Sequence, residues 1–143
     1  MANLTLKPIA AEDTLALRHS VLWPDKPFDY VRLPDDEDGF HLGGFVDGEL
    51  VSVISLFITE GDETTPRMAR FRKFATAPAH QGRGIGTQLL NHVIEQARHR
   101  GATHIWCDAR LTAAGFYERF GMRAEGDVFH KGPIPYSRFG MPL

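Results

Sequence analysis

The chain is predicted to fold as an α/β protein, a mixed sheet with helices over both faces, and three observations carry that expectation. Short apolar runs of strand character alternate with segments of helical period. Phe40 to Val46, then Asp47-Gly48, then Leu50 to Thr59 reads as an antiparallel hairpin, because Asp-Gly suits the positive φ angles of a tight hairpin turn. Ile85, Leu89, Leu90, Val93, Ile94 and Ala97 recur on one stripe, the mark of an amphipathic helix.

In chain order, Leu4 to Ile9 reads as a first strand. Ala11 to Leu22 reads as a helix with Leu15, Leu17, Val21 and Leu22 inward, ended by Pro24. Residues 24–39 hold three prolines, one glycine and the acidic run Asp35-Asp36-Glu37-Asp38 with little periodicity, so a long loop or poorly formed helix is expected there. In the hairpin, the second strand is apolar on both faces, which places it centrally in its sheet. Gly61 to Pro66 is a turn, and Met68 to Thr76 a further strand. The amphipathic helix carries Arg98, His99 and Arg100 in its last turn, where cations favour the helix dipole, and Gly101 closes it. Thr103 to Cys107 is the next strand, and Ala113, Phe116, Tyr117 and Phe120 mark a short helix stopped by Gly121. Arg123 to His130 and Ser137 to Met141 supply one or two last strands. The expected order is β-α-loop-β-β-β-α-β-α-β.

A chain of 143 residues suits one domain, here residues 1–143, able to bury a core without disulfides. Its 43% apolar and 24% charged residues are those of a soluble globular protein. The net charge of −2 argues against a dedicated nucleic-acid binder, which needs a concentrated basic surface. Arg67, Arg70, Arg72 and Lys73 read as a solvated or phosphate-facing strand edge, since few stacking aromatics are interleaved with them. The single cysteine, Cys107, forms no internal disulfide and reads as a small buried hydrophobe. No apolar run approaches the roughly 18 to 20 residues of a membrane span, and Met1-Ala2-Asn3-Leu4 has no signal-peptide character. A cytoplasmic protein with no membrane partner is expected; the sequence leaves monomer and homodimer open. The histidines show no metal-ligand spacing, so no metal is expected.

Chemistry concentrates in Phe74-Ala75-Thr76-Ala77-Pro78-Ala79-His80-Gln81-Gly82-Arg83-Gly84-Ile85-Gly86-Thr87, which joins a strand to the amphipathic helix. Glycines at alternate positions let the backbone approach a ligand closely. The first-turn N–H groups and the positive end of the helix dipole then form an anion site. The segment lacks the Gly-Lys-Ser/Thr of a Walker loop. It also lacks the third glycine of a dinucleotide fingerprint, Thr87 and Leu89 standing there instead.

Gln81-x-x-Gly84-x-Gly86 before an amphipathic helix resembles the pyrophosphate motif of GNAT N-acetyltransferases. Farther on, Ala113-x-x-Phe116-Tyr117-Glu118-Arg119-Phe120-Gly121-Met122 resembles that family's second signature. The resemblance implies the GNAT acyl-CoA N-acyltransferase fold, acetyl-CoA (coenzyme A) as cofactor, and direct transfer to an amine acceptor. It also implies that the backbone of Phe74, Ala75 and Thr76 pairs with the pantetheine arm, with an N–H near Ala75 holding the oxyanion. The N–H groups of Gln81, Gly82, Arg83, Gly84, Ile85, Gly86 and Thr87 would hold the pyrophosphate, with Phe116 also beside the cofactor. Tyr117 stands in the general acid's position. A free tyrosine titrates near pH ~10, so it stays protonated at neutral pH, and a departing thiolate of pKa ~8.5 can accept its proton. The alternative is a packed aromatic on a helix face.

Departures from the pattern matter. Where the family places an asparagine before the tyrosine, this chain has Arg110, which would touch cofactor or acceptor or else serve a structural ion pair. Trp106-Cys107-Asp108-Ala109-Arg110 resembles a bacterial branch of small GNATs with Trp-Cys-Asn-Ala-Arg, Asp108 replacing the asparagine. The strand before the glycine loop lacks the glutamate base of many relatives, leaving His41, Glu60 and Asp108 as candidates, or a water relay, or an amine that is already neutral. The acceptor is expected to be a small-molecule amine or a peptide N-terminus. A non-catalytic acyl-CoA sensor or scaffold is the alternative function; it keeps the glycine loop but needs no acid.

Overall fold

The strand and helix signals become the elements of a single mixed sheet with three helices; the computed structural model describes residues 3–143. The strands are β1 (Leu4–Ile9), β2 (Phe40–Val46), β3 (Glu49–Thr59), β4 (Met68–Thr76), β5 (His104–Arg110), β6 (Arg123–Ala124), β7 (Phe129–Lys131) and β8 (Ile134–Pro142). The helices are α1 (Ala11–Leu17), α2 (Ile85–His99) and α3 (Ala114–Glu118). The chain forms two compact units, one holding the residues up to Phe57 with Phe71–Gln96, the other Ile58–Arg70 with Ala97–Leu143.

In the first unit the strands run in the order β1-β2-β3-β4, with β1 antiparallel to β2 and β2 antiparallel to β3. Asp47 at φ 50° and Gly48 at φ 85° make the hairpin turn that the dipeptide predicts. β3 is buried from Val51 to Phe57, as its two apolar faces require of a central strand. The α2 stripe from Ile85 to Ala97 is buried at all six expected positions. Gly44 of β2 admits this helix closely, because a Cβ there would sit 2.8 Å from Leu89 Cδ1.

The first helix departs from expectation. After Leu17 the backbone widens into a π-helical turn, Arg18–Leu22, and the chain leaves it at Trp23. Val21 and Leu22 are only half-buried, whereas Arg18 is completely buried. Its guanidinium donates two hydrogen bonds of 2.8 Å to the Asp36 carboxylate, one of 3.0 Å to the Val31 carbonyl and one of 2.9 Å to Ser55 Oγ. That bonding is what admits a charge to the interior. Residues 24–39 are an irregular segment with short 3₁₀ turns at Phe28–Val31 and Asp36–Asp38, held by the same pair.

In the second unit β5 lies between β4 and β8, with β6 and β7 both on β8. Met68, Ala69 and Arg70 pair in parallel with His104, Ile105 and Trp106, and β8 runs antiparallel to β5 over its whole length. β5 extends to Arg110, farther than the expected end at Cys107, because Asp108, Ala109 and Arg110 keep cross-strand partners in Arg138, Ser137 and Tyr136. After α3 there are three strands rather than one or two; Gly132 at φ 61° turns β7 back into β8. Ile105, Cys107 and Ala109 face the interior together with Met122 and Phe139. No helix among the described residues is long and apolar enough to cross a membrane.

Candidate active site

The glycine segment lies in the first unit. β4 ends at Thr76, Pro78 opens a short 3₁₀ turn to His80, and Gln81 returns to extended backbone. Gln81 Nε2 donates to the Thr76 carbonyl at 2.9 Å, closing the loop on itself. Gly82 and Gly84 take φ of 74° and 80°, the left-handed region that side chains disfavour, and open space surrounds the Cβ position of each. The Gln88 N–H bonds the Gly84 carbonyl at 3.2 Å, so Gly84 caps α2 and the N–H groups of Ile85, Gly86 and Thr87 have no partner within the helix. Gln81 to Gly84 and Thr87 are exposed, while Ile85 is buried as the first residue of the apolar stripe. The helix has no acid in its first turn to compete with a bound anion. These features fit a phosphate-bearing ligand.

Gly86 does a different job from its two neighbours. Its φ is not left-handed, and a Cβ there would meet the Phe74 ring at 3.2 Å. Its small size lets Phe74 of β4 pack against α2. On that strand the Ala75 carbonyl accepts a 3.3 Å hydrogen bond from Ser52 Oγ, which also contacts Thr76 Oγ1 at 2.8 Å. Lys73 has φ 54°, a left-handed non-glycine residue costing roughly 1–2 kcal/mol, immediately before Phe74. Nothing in the local sequence marks either feature, beyond Ser52 being one of two serines buried among the apolar residues of β3.

Tyr117 lies in the second unit and is 8% exposed. Its ring stacks on Phe139 with centroids 6.0 Å apart, and Phe116 meets it edge-on at 5.1 Å. Burial, then the neighbouring Cys107, hold the Tyr117 hydroxyl well above the ordinary phenol pKa, so it stays protonated at neutral pH. Burial also raises the Cys107 thiol, Asp108 adds to this, and Arg70 and the hydrogen bond from Tyr117 oppose it. Tyr117 and Cys107 are thus neighbours, a partnership that sequence reasoning missed. Arg110 occupies the other face of β5, by the alternation of strand side chains, and its Nε donates to the Tyr136 hydroxyl at 3.2 Å. Tyr117 and Arg110 are thus turned to opposite faces.

The three base candidates are all engaged. His41 is buried, with Nδ1 2.7 Å from Ser55 Oγ and Nε2 2.8 Å from the Asp36 carbonyl. Glu60 accepts a 2.7 Å ion pair from Arg67. Asp108 accepts from Arg70 at 3.0 Å and lies 3.8 Å from Arg138 Nε, while both arginines flank the Trp106 ring. Arg67 and Arg70 are accordingly ion-paired rather than a simple solvated edge. No cluster of three or more His, Cys, Asp or Glu that could hold a metal ion occurs among the described residues.

A glycine loop opening a helix, a buried protonated tyrosine and this strand order together define an acyl-CoA N-acyltransferase fold. The chain belongs to the acetyltransferase (GNAT) family, whose model matches residues 9–122. It is 32% identical over 129 residues to the uncharacterized N-acetyltransferase YitI of Bacillus subtilis (strain 168), covering 88% of this chain and 87% of that one. Its fold matches a putative N-acetyltransferase from Lactobacillus plantarum with a TM-score of 0.81, at 22% identity and 98% coverage of both chains. It also matches a GNAT family acetyltransferase from Elizabethkingia anophelis solved with acetyl-CoA bound, with a TM-score of 0.71, 19% identity and 99% coverage of each. The chain is therefore an acyltransferase of the N-acetyltransferase kind.

Proposed function

We propose that residues 1–143 act as one GNAT domain that moves an acetyl group from acetyl-CoA directly to a primary amine. The left-handed Gly82 and Gly84 leading into the unpartnered N–H groups of α2 carry this reading, since together they form an anion cradle. The N–H groups from Gln81 to Thr87 hold the pyrophosphate, and Phe74, Ala75 and Thr76 pair with the pantetheine. When bound, acetyl-CoA supplies the acetyl group as a thioester. An N–H near Ala75 stabilises the oxyanion, and Tyr117 Oη gives its proton to the departing sulfur. The acyl–nitrogen bond forms as the acyl–sulfur bond breaks, the amine's proton leaves to solvent, and the tyrosine is reprotonated from solvent.

The test is calorimetry with coenzyme A on the wild type and Gly84→Val. Valine disfavours φ 80°, so the loop loses its shape while α2 keeps its buried stripe. Expected is wild-type binding and a loss of more than about tenfold in the variant, which is about 1.4 kcal/mol. Equal affinities would remove the loop from the cofactor site. Gly86→Val would not isolate this effect, because it also strikes Phe74.

The engagement of His41, Glu60 and Asp108 favours an acceptor that needs no strong base. A lysine amine of pKa ~10.4 costs roughly 4.6 kcal/mol to neutralise at pH 7, and an α-amine near ~7.8 about 1 kcal/mol. A small amine or a peptide N-terminus is thus the acceptor class. Peptides carrying either a free α-amine or a single lysine, compared by thiol release, should show faster turnover on the α-amine. The reverse order would point to a base not yet assigned.

A further inference from the structure

By the alternation of strand side chains, Trp106, Asp108 and Arg110 of β5 share the face of the sheet opposite Cys107. Their cross-strand partners bring Arg70 of β4 and Tyr136 and Arg138 of β8 to the same face, and β7 adds Phe129 and Lys131. Apart from His104, which pairs with Glu125 at 2.9 Å, β5, β7 and β8 place three cations there, Arg110, Lys131 and Arg138. Arg70 is a fourth, and Asp108 is the carboxylate among them, in a chain whose net charge is −2. Aromatic rings seat these cations. The guanidinium carbons of Arg138 and Arg70 lie 3.7 and 4.4 Å from the Trp106 ring centroid, and Lys131 Nζ lies 4.6 Å from that of Tyr136. Cations held in this way lose less freedom when a ligand binds. Asp108 accepts a hydrogen bond from Arg70 at 3.0 Å, whereas Arg138 Nε stands 3.8 Å from it, too far for one. The Arg138 side chain is 46% exposed and makes no hydrogen bond among the described residues.

We propose that this face of β5, β7 and β8 docks an extended, acidic peptide segment, with Arg138 as its main carboxylate reader. A guanidinium donates through a planar fork that fits a carboxylate in two parallel hydrogen bonds. Arg138 and Arg110 stand two residues apart along the β5–β8 pair. That is about 6.6 Å, the spacing of same-face side chains on an extended chain, so alternate acidic residues meet successive arginines. Single-stranded nucleic acid fits less well. It needs bare ring faces for its bases, and here Trp106 carries two arginines while Tyr136 carries Lys131 and stacks on Phe129. The surface is independent of the transfer chemistry and would operate whether or not Tyr117 is the acid.

Fluorescence anisotropy of a dye-labelled hexaglutamate peptide, titrated with the full chain, tests it. Saturable binding that weakens with added salt is expected. Arg138→Gln should lower that affinity by about tenfold and leave coenzyme A affinity at its wild-type value. Arg98→Gln makes the same change of charge on an exposed residue at the end of α2 and should cost less than about twofold. Absence of hexaglutamate binding overturns the proposal. So do equal losses in the two variants, which would reduce the effect to overall charge. Tighter binding of a thymidine hexanucleotide than of hexaglutamate also overturns it, in favour of nucleic acid. If Arg138→Gln loses its fold by circular dichroism, Lys131→Gln takes its place in the comparison, with the same outcomes deciding.

Discussion

Tyr117→Phe is expected to lower turnover by about 10²- to 10⁴-fold while leaving coenzyme A affinity at its wild-type value, the range that general acid catalysis contributes. The variant keeps the stacking on Phe139 and the edge contact with Phe116, and loses only the hydroxyl. Because that hydroxyl is held protonated well above neutral pH, the wild-type acid is fully charged with its proton across the physiological range. Thiol release under saturating acetyl-CoA measures the chemical step, and calorimetry with coenzyme A measures binding. Wild-type turnover in the variant would assign the proton to water or to another group. It would also revive the reading of the chain as an acyl-CoA sensor, if no amine were found to be a substrate.

Asp36→Asn is expected to destabilise the protein by about 3–5 kcal/mol, the cost of leaving a buried charge without its counter-ion. Arg18 is completely buried, and its two shortest hydrogen bonds go to that carboxylate. Asp36 also accepts a 3.0 Å hydrogen bond from the Leu33 N–H, which ties the irregular segment 24–39 to the pair. Guanidinium unfolding with two spectroscopic probes measures the loss. The double variant Arg18→Met/Asp36→Leu should regain much of it, since an apolar pair needs no compensation. Undiminished stability in Asp36→Asn would show that Val31 and Ser55 satisfy Arg18 unaided. The pair also predicts a pH dependence. Burial raises the Asp36 pKa, but the Arg18 and Leu33 hydrogen bonds outweigh it and hold the carboxyl below its ordinary value. A depressed native pKa means that the stabilisation is complete above the unfolded value of about 3.9. It is lost as pH falls from there through the lower native pKa.

Elements whose signals are local were legible in the sequence. β1, β2 and β4 begin and end where their apolar runs do, Asp47-Gly48 turns the hairpin, and the α2 stripe is buried at each expected position. In each case the deciding forces act within a few residues: side-chain period, positive φ, and a glycine that ends a helix. The glycine loop was legible for the same reason, since left-handed backbone at Gly82 and Gly84 is a property of those residues themselves. Tertiary structure decided what depends on partners far apart in the chain. Arg18 reads as a surface residue of a helix until Asp36 and Ser55, brought to it by folding, make its burial affordable. The same holds for β5, whose last residues are strand because β8 lies beside them, and for His41, Glu60 and Asp108, which looked available until folding supplied Ser55, Arg67 and Arg70. Cys107 read correctly as buried, yet its neighbour Tyr117 depends on folding that brings α3 onto Phe139 of β8. Hydrogen bonds and ion pairs have no period along a chain. Residue types show which groups need partners, and only the packed structure chooses them.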